Sequence, residues 1–400
     1  MTRVYVGMSG GVDSSLTAAL LVEQGYDVTG VYMKNWTQDL PGMKCPWADD
    51  MADAKRVAVQ LGIDFKVFDF EKEYKQKVVD YMIDEYKNGR TPNPDVMCNQ
   101  EVKFKLFLNT ALEDGADMIA TGHYAQIEYR ILNIEYGREQ AARFDSNQDT
   151  LEPKSELTPG LNSDLERSSV LVETDRKGYK KIATLKRAVD DNKDQTYFLY
   201  RVSSEALSKT LFPLGEFTKP EVRKMAEERG LYTAGKKDSQ GICFVGKVGI
   251  RDFLSQYVEQ KPGQIIDKKS GKVLGQHDGA IFYTLGQRHG LDVGGGLPYY
   301  IVGKDMEKNE VYVTTDLNDG GLWRTDVELQ SVHWIGRIPE SGTYDIRIRH
   351  RAPLVKAKLT IANGGASVQI KILDQQRAIA TGQSIVIYDG DECLGGGIVS

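Results

Sequence analysis

Glycines, serines and an aspartate packed into Ser9-Gly10-Gly11-Val12-Asp13-Ser14-Ser15 are the residues of this chain best suited to chemistry. The apolar run Val4–Met8 before them reads as a short buried strand, and the periodic run Val12–Glu23 after them reads as a helix ended by Gly25. A glycine turn between strand and helix lets bare backbone N–H groups approach a polyphosphate, and the helix N-terminus adds favourable partial charge. Ser9, Ser14 and Ser15 bring hydroxyl donors to the same anion. A kinase-type phosphate loop needs Gly-x4-Gly-Lys-Ser/Thr, and no lysine stands here. Asp13 repels phosphate unless a magnesium ion lies between them. An ordinary glycine turn accounts for the glycines but not for the serines and aspartate at fixed offsets.

A second reactive candidate is Cys98, in Asn93-Pro-Asp-Val-Met-Cys-Asn-Gln-Glu-Val-Lys-Phe104. The prolines before it belong to a loop, so the thiol lies where a loop enters a helix, a place that lowers thiol pKa. Asp95, one helical turn earlier, is placed to shuttle a proton. A small buried cysteine beside an N-capping aspartate fits the same residues. Cys243, in Gln240-Gly-Ile-Cys-Phe-Val-Gly246, has Lys236 and Lys237 upstream to favour a thiolate, or is a buried cysteine in a short strand. The run Asp191–Tyr200 combines amide, lysine and aromatic groups suited to RNA, or is a solvated helix start. Arg347, Arg349 and Arg351 alternate as if along one strand face, followed by Lys356 and Lys358, a single-signed stripe that can position phosphates or simply face solvent.

The elements that must hold these groups change character along the chain. From Arg3 to about Thr121, strand-like and helix-like runs alternate: strands Asp27–Met33, Phe65–Phe70 and Asp117–Thr121, and helices Ala48–Leu61, Lys72–Lys87 and Val102–Leu112. Alternation of this kind predicts an α/β fold with a parallel sheet, helices on both faces and ligands at the strand C-termini. Residues 131–178 break the pattern with ten acidic against six basic residues and a polar core, Asp145–Arg167, which predicts a flexible insertion. Helical patterning returns at Asp194–Arg201 and Lys219–Arg229. Beyond residue 280 the period falls to two, over Tyr299–Gly303, Glu310–Thr314, Leu329–Trp334, Tyr344–Arg349, Val355–Ile361, Ser367–Ile372, Ser384–Tyr388 and Leu394–Val399, which predicts a small β-barrel. The expected division is a catalytic domain over 1–208, a small central α+β domain over 209–280 and a barrel over 281–400.

Four cysteines far apart and five scattered histidines argue against a disulfide framework and a zinc ribbon. The net charge of −6 argues against a protein that coats nucleic acid, although much of the acidity is local to the insertion. With no long apolar run and no leader ahead of the first strand, the expectation is a cytoplasmic protein with no membrane partner.

Ser9–Ser15 is similar to the signature of the N-type ATP pyrophosphatases, whose fold is HUP-like and which transfer AMP to a substrate. With Asn93–Asn99, Thr121–Tyr124, Asn192–Tyr200, Gly241–Gly246 and Tyr283–Leu291, the chain resembles the tRNA-specific 2-thiouridylases nearly end to end. The resemblance implies that Gly7, Met8, Ser9, Gly10, Gly11, Val12, Asp13 and Ser14 cradle ATP, with the backbone of Met33 and Gly122 around the adenosine. It implies that Asn93, Pro94 and Asp95 meet the target base, that Cys98 is the nucleophile and that Cys243 carries a persulfide. His123, Lys193, Asp194, Gln195, Arg349, His350 and Gln383 would touch tRNA. Magnesium would arrive with ATP, with Asp13 as its candidate protein ligand, and sulfur would come from a cysteine desulfurase or a sulfur-relay protein. Cys45 and Cys393 carry no implied role, and the insertion replaces what is a short hairpin in the family. Rival readings are another enzyme of the same superfamily, or an RNA-binding protein that keeps ATP as a structural ligand.

Overall fold

The computed structural model describes residues 1–39, 45–133, 138–141, 179–237, 249–291, 293–294 and 296–400. Cys243 and the core of the insertion, Asp145–Arg167, lie outside the described residues.

Strands β1 (Arg3–Gly7), β2 (Asp27–Lys34), β3 (Asp64–Asp69) and β4 (Met118–Thr121) form an all-parallel sheet in the order β3-β2-β1-β4, extended beyond β4 by a short strand at Thr210–Leu211. Its strands read as continuous apolar runs because both faces are covered. Helices Val12–Glu23, Trp47–Leu61 and Lys219–Glu228 pack on one face, and the helical runs 71–87 and 94–113 pack on the other. The chain order reverses between β1 and β4, where the crevice at the strand C-termini collects ligands in open α/β sheets. Gly7 and Thr121 pair at that edge, so the glycine turn after β1 and Gly122-His123 after β4 face one another.

Strand runs into the start of the 131–178 stretch and resumes just after it. β5 (Gln126–Asn133) pairs antiparallel with β6 (Arg138–Ala141) and with β7 (Tyr179–Lys186). After the short strand β8 (Thr210–Leu211), β9 (Gly263–Asp267), β10 (Val273–His277), β11 (Tyr300–Asp305) and β12 (Glu310–Thr314) form a separate four-stranded sheet. That sheet corrects the expectation that Tyr299–Gly303 and Glu310–Thr314 belong to the C-terminal barrel. β12 runs parallel to β9, so the central sheet crosses residue 280.

The barrel itself comprises β13 (Trp323–Trp334), β14 (Gly342–Arg347), β15 (Val355–Ala362), β16 (Ser367–Arg377), β17 (Ser384–Asp389) and β18 (Glu392–Val399). It closes through the β13–β18 pair, and its interior is filled by Ile346, Ile348, Leu359, Ile370, Ile385, Ile387 and Leu394. β18 also pairs with β7, so the barrel wall continues into the catalytic domain. A single apolar cluster runs from helices 71–87 and 94–113 through the central sheet (Ile265, Ile301, Val311) to Tyr388 and Cys393 of the barrel. No described helix is long and apolar enough to cross a membrane.

Candidate active site

The turn after β1 has the geometry of an anion cradle. Gly10 adopts φ +73°, and a Cβ there would lie 2.3 Å from the Asp50 carbonyl oxygen, so only glycine closes the loop against helix Trp47–Leu61. Gly11 is the N-cap of helix Val12–Glu23 and offers no side-chain oxygen, leaving the first N–H groups of that helix without a side-chain cap. The Ser9 amide donates to Ser14 Oγ at 3.1 Å, while the Ser14 and Ser15 hydroxyls donate to the Gly11 carbonyl at 3.2 and 2.8 Å. Those bonds fix the loop that would hold ATP. Gly122 lets the end of β4 touch the start of the same helix, since a Cβ there would meet Asp13 and Ser14 backbone at 2.8 Å. Met33 lies against Gly7, and Met8 and Val12 are buried in the sheet's core.

Asp13 is not alone. Lys219 places its Nζ 2.6 and 2.8 Å from the two Asp13 carboxylate oxygens, across 206 residues of sequence, and the Tyr124 hydroxyl donates to Oδ1 at 2.9 Å. Lys219 is 8% exposed, and its backbone N–H is held by Asp190 Oδ2 at 2.8 Å. Sequence reasoning missed both residues because the loop itself holds no lysine. One signal was present: Thr218-Lys219-Pro220-Glu221 is a capping box, and a lysine in the first turn of a helix opposes the macrodipole.

Cys98 lies one turn inside helix 94–113, where the backbone widens to π-helical spacing over Cys98–Phe107. Asn93, not Asp95, caps this helix: its Oδ1 accepts from the Asp95 and Val96 amides at 3.1 and 3.3 Å. Asp95 is therefore half-buried beside the cap with its carboxylate not used as the cap. Pro94 and Cys98 are buried. Cys45 and Cys393 are also buried, and burial pushes both thiols up, which makes them poor thiolates.

A cleft of about 140 Å3 at the start of this helix is lined by Thr91, Asn93, Tyr197, Arg349, His350 and Gln383. Four distant segments meet there, and Asn93, Arg349, His350 and Gln383 are among the residues expected from sequence to touch base or tRNA. Gly382, at φ +91°, allows the barrel loop to dock, because a Cβ would lie 2.7 Å from the Thr91 nitrogen. The Thr91 amide donates to the Thr381 carbonyl at 2.9 Å. His350 packs on Phe198 with ring centroids 4.4 Å apart. Burial, then the Arg351, Arg347 and Lys193 charges, pull the His350 pKa down to about 4, so the ring is neutral near pH 7.

Two of the expected tRNA contacts have other tasks. Asp194 is fully buried: its carboxylate accepts from Thr196 Oγ1 at 2.9 Å and from Arg347 at 2.7 Å. Arg347 is buried too, and β14 ends there, so Arg347, Arg349 and Arg351 do not share a strand face. Arg349 and Arg351 lie in the exposed turn that follows, and Arg351 donates to the Asn192 carbonyl at 3.1 Å. His123 is enclosed by Phe104 and Phe212, with its Nδ1 2.7 Å from Thr121 Oγ1, and burial holds its pKa well below the usual range. Gln195 accepts from the Tyr124 amide at 2.9 Å, and Lys193 is half-exposed beside it. The short segment 190–200 thus ties Lys219, Tyr124, the barrel and the cleft together. The helix expected over Asp194–Arg201 shrinks to one turn, Thr196–Leu199, because Asp194 spends its carboxylate on that junction.

Comparison with known proteins matches three family models along the chain. Family models match residues 2–153 and 170–247 (tRNA methyl transferase HUP domain), 251–315 (tRNA methyl transferase PRC-barrel domain) and 324–399 (aminomethyltransferase beta-barrel domain). The chain is 44% identical over its whole length to 94% of a tRNA-specific 2-thiouridylase MnmA from Halalkalibacterium halodurans. It is 41% identical over its whole length to 95% of the protein of that name from Enterococcus faecalis, and 42% identical, again end to end, to 95% of that from Pediococcus pentosaceus.

Proposed function

The chain belongs to the family of tRNA-specific 2-thiouridylases, and from that premise we propose that it converts the wobble uridine of tRNA to 2-thiouridine, with release of AMP and pyrophosphate. The C2 carbonyl of uridine is a poor electrophile. Transfer of AMP from ATP to that oxygen creates a leaving group and frees pyrophosphate. The terminal sulfur of a persulfide on Cys243 then attacks C2 and expels AMP. Attack of the Cys98 thiolate on the inner Cys243 sulfur leaves the outer sulfur on C2 and forms a Cys98–Cys243 disulfide. A two-electron thiol reductant resets the pair, and a cysteine desulfurase or relay protein reloads Cys243.

In this reading the loop Gly7–Ser14 binds the triphosphate, the Met33 and Gly122 backbone borders the adenosine, and Asp13 meets the magnesium ion that accompanies ATP. Asn93, Pro94 and Asp95 orient the target base, with Asp95 moving a proton. Arg349, His350 and Gln383, with Lys193 and Gln195 at the margin, guide the tRNA; Asp194 serves by holding the barrel in place, and His123 stays enclosed between Phe104 and Phe212. The setting is the cytoplasm.

The observation that carries this reading is the cleft in which Asn93, at the head of the Cys98 helix, meets Arg349, His350 and Gln383 of the barrel. A neutral histidine beside aromatic rings and an arginine suits a splayed-out base and its phosphate. The matching family descriptions speak of methyl transfer, a reaction that needs no phosphate cradle, so the loop favours activation by ATP. Purified protein with ATP, magnesium and tRNA is expected to form AMP and pyrophosphate only when tRNA is present. ADP and orthophosphate would refute it.

A further inference from the structure

The motif Tyr283–Leu291 takes no part in the chemistry of the ATP loop or the two cysteines, yet its loop is fixed from every side. The Gly286 amide donates to the Ile301 carbonyl at 2.8 Å, and the Ile301 amide donates to the Gln287 carbonyl at 3.1 Å. The Gln287 side chain accepts from the Thr284 amide at 3.0 Å and donates to the His289 carbonyl at 2.8 Å. The Tyr283 hydroxyl donates to the Gly290 carbonyl at 3.2 Å, and Lys304 Nζ donates to the Tyr283 carbonyl at 3.0 Å. With these groups committed to the loop itself, Arg288 and His289 are left as its exposed tip.

The barrel joins that tip to the cleft. Gly286, at φ +79°, sits so close to the barrel that a Cβ would lie 2.2 Å from the Ala378 Cβ. Arg377, one residue earlier, stands over Tyr300 with its guanidinium carbon 4.2 Å from the ring centroid, and its carbonyl accepts from Arg349 of the cleft at 3.0 Å. Arg377 Nη2 is sealed from solvent and has no hydrogen-bond partner among the described residues. Nor does any carboxylate of the described residues lie within ion-pair distance of Arg288, Arg349 or Arg377. In a chain of net charge −6, three neighbouring arginines left without counter-ions form a local site for an external anion. Solvated surface arginines need neither a locked loop nor a guanidinium seated on an aromatic ring.

We propose that Arg349, Arg377 and Arg288 form a phosphate track that carries the sugar–phosphate backbone of tRNA from the cleft onto the central domain, with Arg288 as its far contact. Arg288 follows Gly286 by two residues, so its Cα lies within about 7 Å of the loop's contact with the barrel, and its side chain extends the track further. The locked loop lowers the ordering cost of that contact. Backbone contacts carry no sequence information, so the track sets the register of the anticodon arm while the cleft holds the base. The inference rests on the tRNA reading of the cleft.

Fluorescence anisotropy of the full chain with labelled unmodified tRNA, and separately with its isolated anticodon stem-loop, tests it over a salt series. Arg288→Ala should weaken both RNAs about three- to tenfold at low salt and reduce the log–log salt slope by about 0.7–0.9, with ATP affinity unchanged. Arg288→Lys, which keeps the charge, should retain the wild-type slope. Unchanged affinity and slope in Arg288→Ala, a slope that falls equally in Arg288→Lys, or a loss seen with whole tRNA but absent from the stem-loop would overturn the inference and leave wild-type tRNA binding standing. Wild type that binds tRNA no better than a random RNA of equal length would refute the tRNA reading itself.

Discussion

Breaking the buried pair between Asp194 and Arg347 should loosen the catalytic domain from the barrel without touching any RNA contact. Their side chains are 0% and 5% exposed, 2.7 Å apart and 153 residues apart in sequence. Removing one member of such a pair leaves an uncompensated buried charge and costs about 3–5 kcal/mol. The two single variants should differ. In Arg347→Met, Asp194 keeps its Thr196 hydrogen bonds and Arg187 at 4.0 Å, so the loss falls at the lower end. In Asp194→Asn, Arg347 keeps only the Tyr388 ring, 5.5 Å away, as a favourable electrostatic contact among the interactions described, so the loss falls at the upper end. At roughly 2–4 °C per kcal/mol for domains of this size, Asp194→Asn should lower Tm by on the order of 10 °C. Urea unfolding of both singles and of the double variant gives the coupling, expected to exceed about 1 kcal/mol because the double variant leaves no lone charge. Well below the transition, tRNA binding by Asp194→Asn should keep the wild-type salt slope. A loss under about 1 kcal/mol for both singles, or a changed salt slope with intact stability, would restore Asp194 to the RNA surface.

Further perturbations address the cleft and the loop. His350, held near a pKa of about 4 against about 6.5 when unfolded, binds its proton less well in the folded state. Its contribution to stability is therefore complete above about pH 6.5 and is lost as pH falls from there toward 4; an NMR titration of the ring that finds protonation near pH 6.5 would contradict this. Gly10→Ala should abolish ATP binding and cost about 1–3 kcal/mol, since both the positive φ and the Asp50 carbonyl oppose a Cβ; retained nucleotide affinity in calorimetry would count against the loop geometry. Arg349→Ala should raise the tRNA KM and flatten the salt dependence of binding by about one phosphate contact, while leaving ATP affinity unchanged; an unaltered slope would make Arg349 plain surface.

Local patterns made much of the fold legible. Helix Val12–Glu23 has the bounds that its periodicity and Gly25 indicate, and the strands before Thr121 stand where apolar runs end in glycine or polar residues. What could not be read was which face of an element another domain would cover. Ile346, Arg347 and Ile348 alternate as a barrel strand should, with the isoleucines inward. Arg347 does point out of the barrel, but the outside there is the catalytic domain, so an apparent surface charge is a buried one. Period-two patterning likewise locates Glu310–Thr314 as a strand but cannot show that its partner is β9, the parallel neighbour, instead of a barrel strand. The Lys219–Asp13 contact spans 206 residues and leaves only the misplaced lysine at a capped helix start as its trace. Local sequence also could not bring Asn93, Arg349 and Gln383 into one cleft, because their meeting depends on Gly382 docking against Thr91.

The most direct test is nucleoside mass analysis of tRNA incubated with the protein, ATP, magnesium, a cysteine desulfurase and cysteine. Wild type should place 2-thiouridine at the wobble position, one AMP and one pyrophosphate per sulfur. Cys243→Ser should accept no sulfur, and Cys98→Ser should hold labelled sulfur on the protein without delivering it. Formation of 2-thiouridine by both cysteine variants at the wild-type rate, or none by the wild type while its tRNA gains a methyl group, would contradict the account.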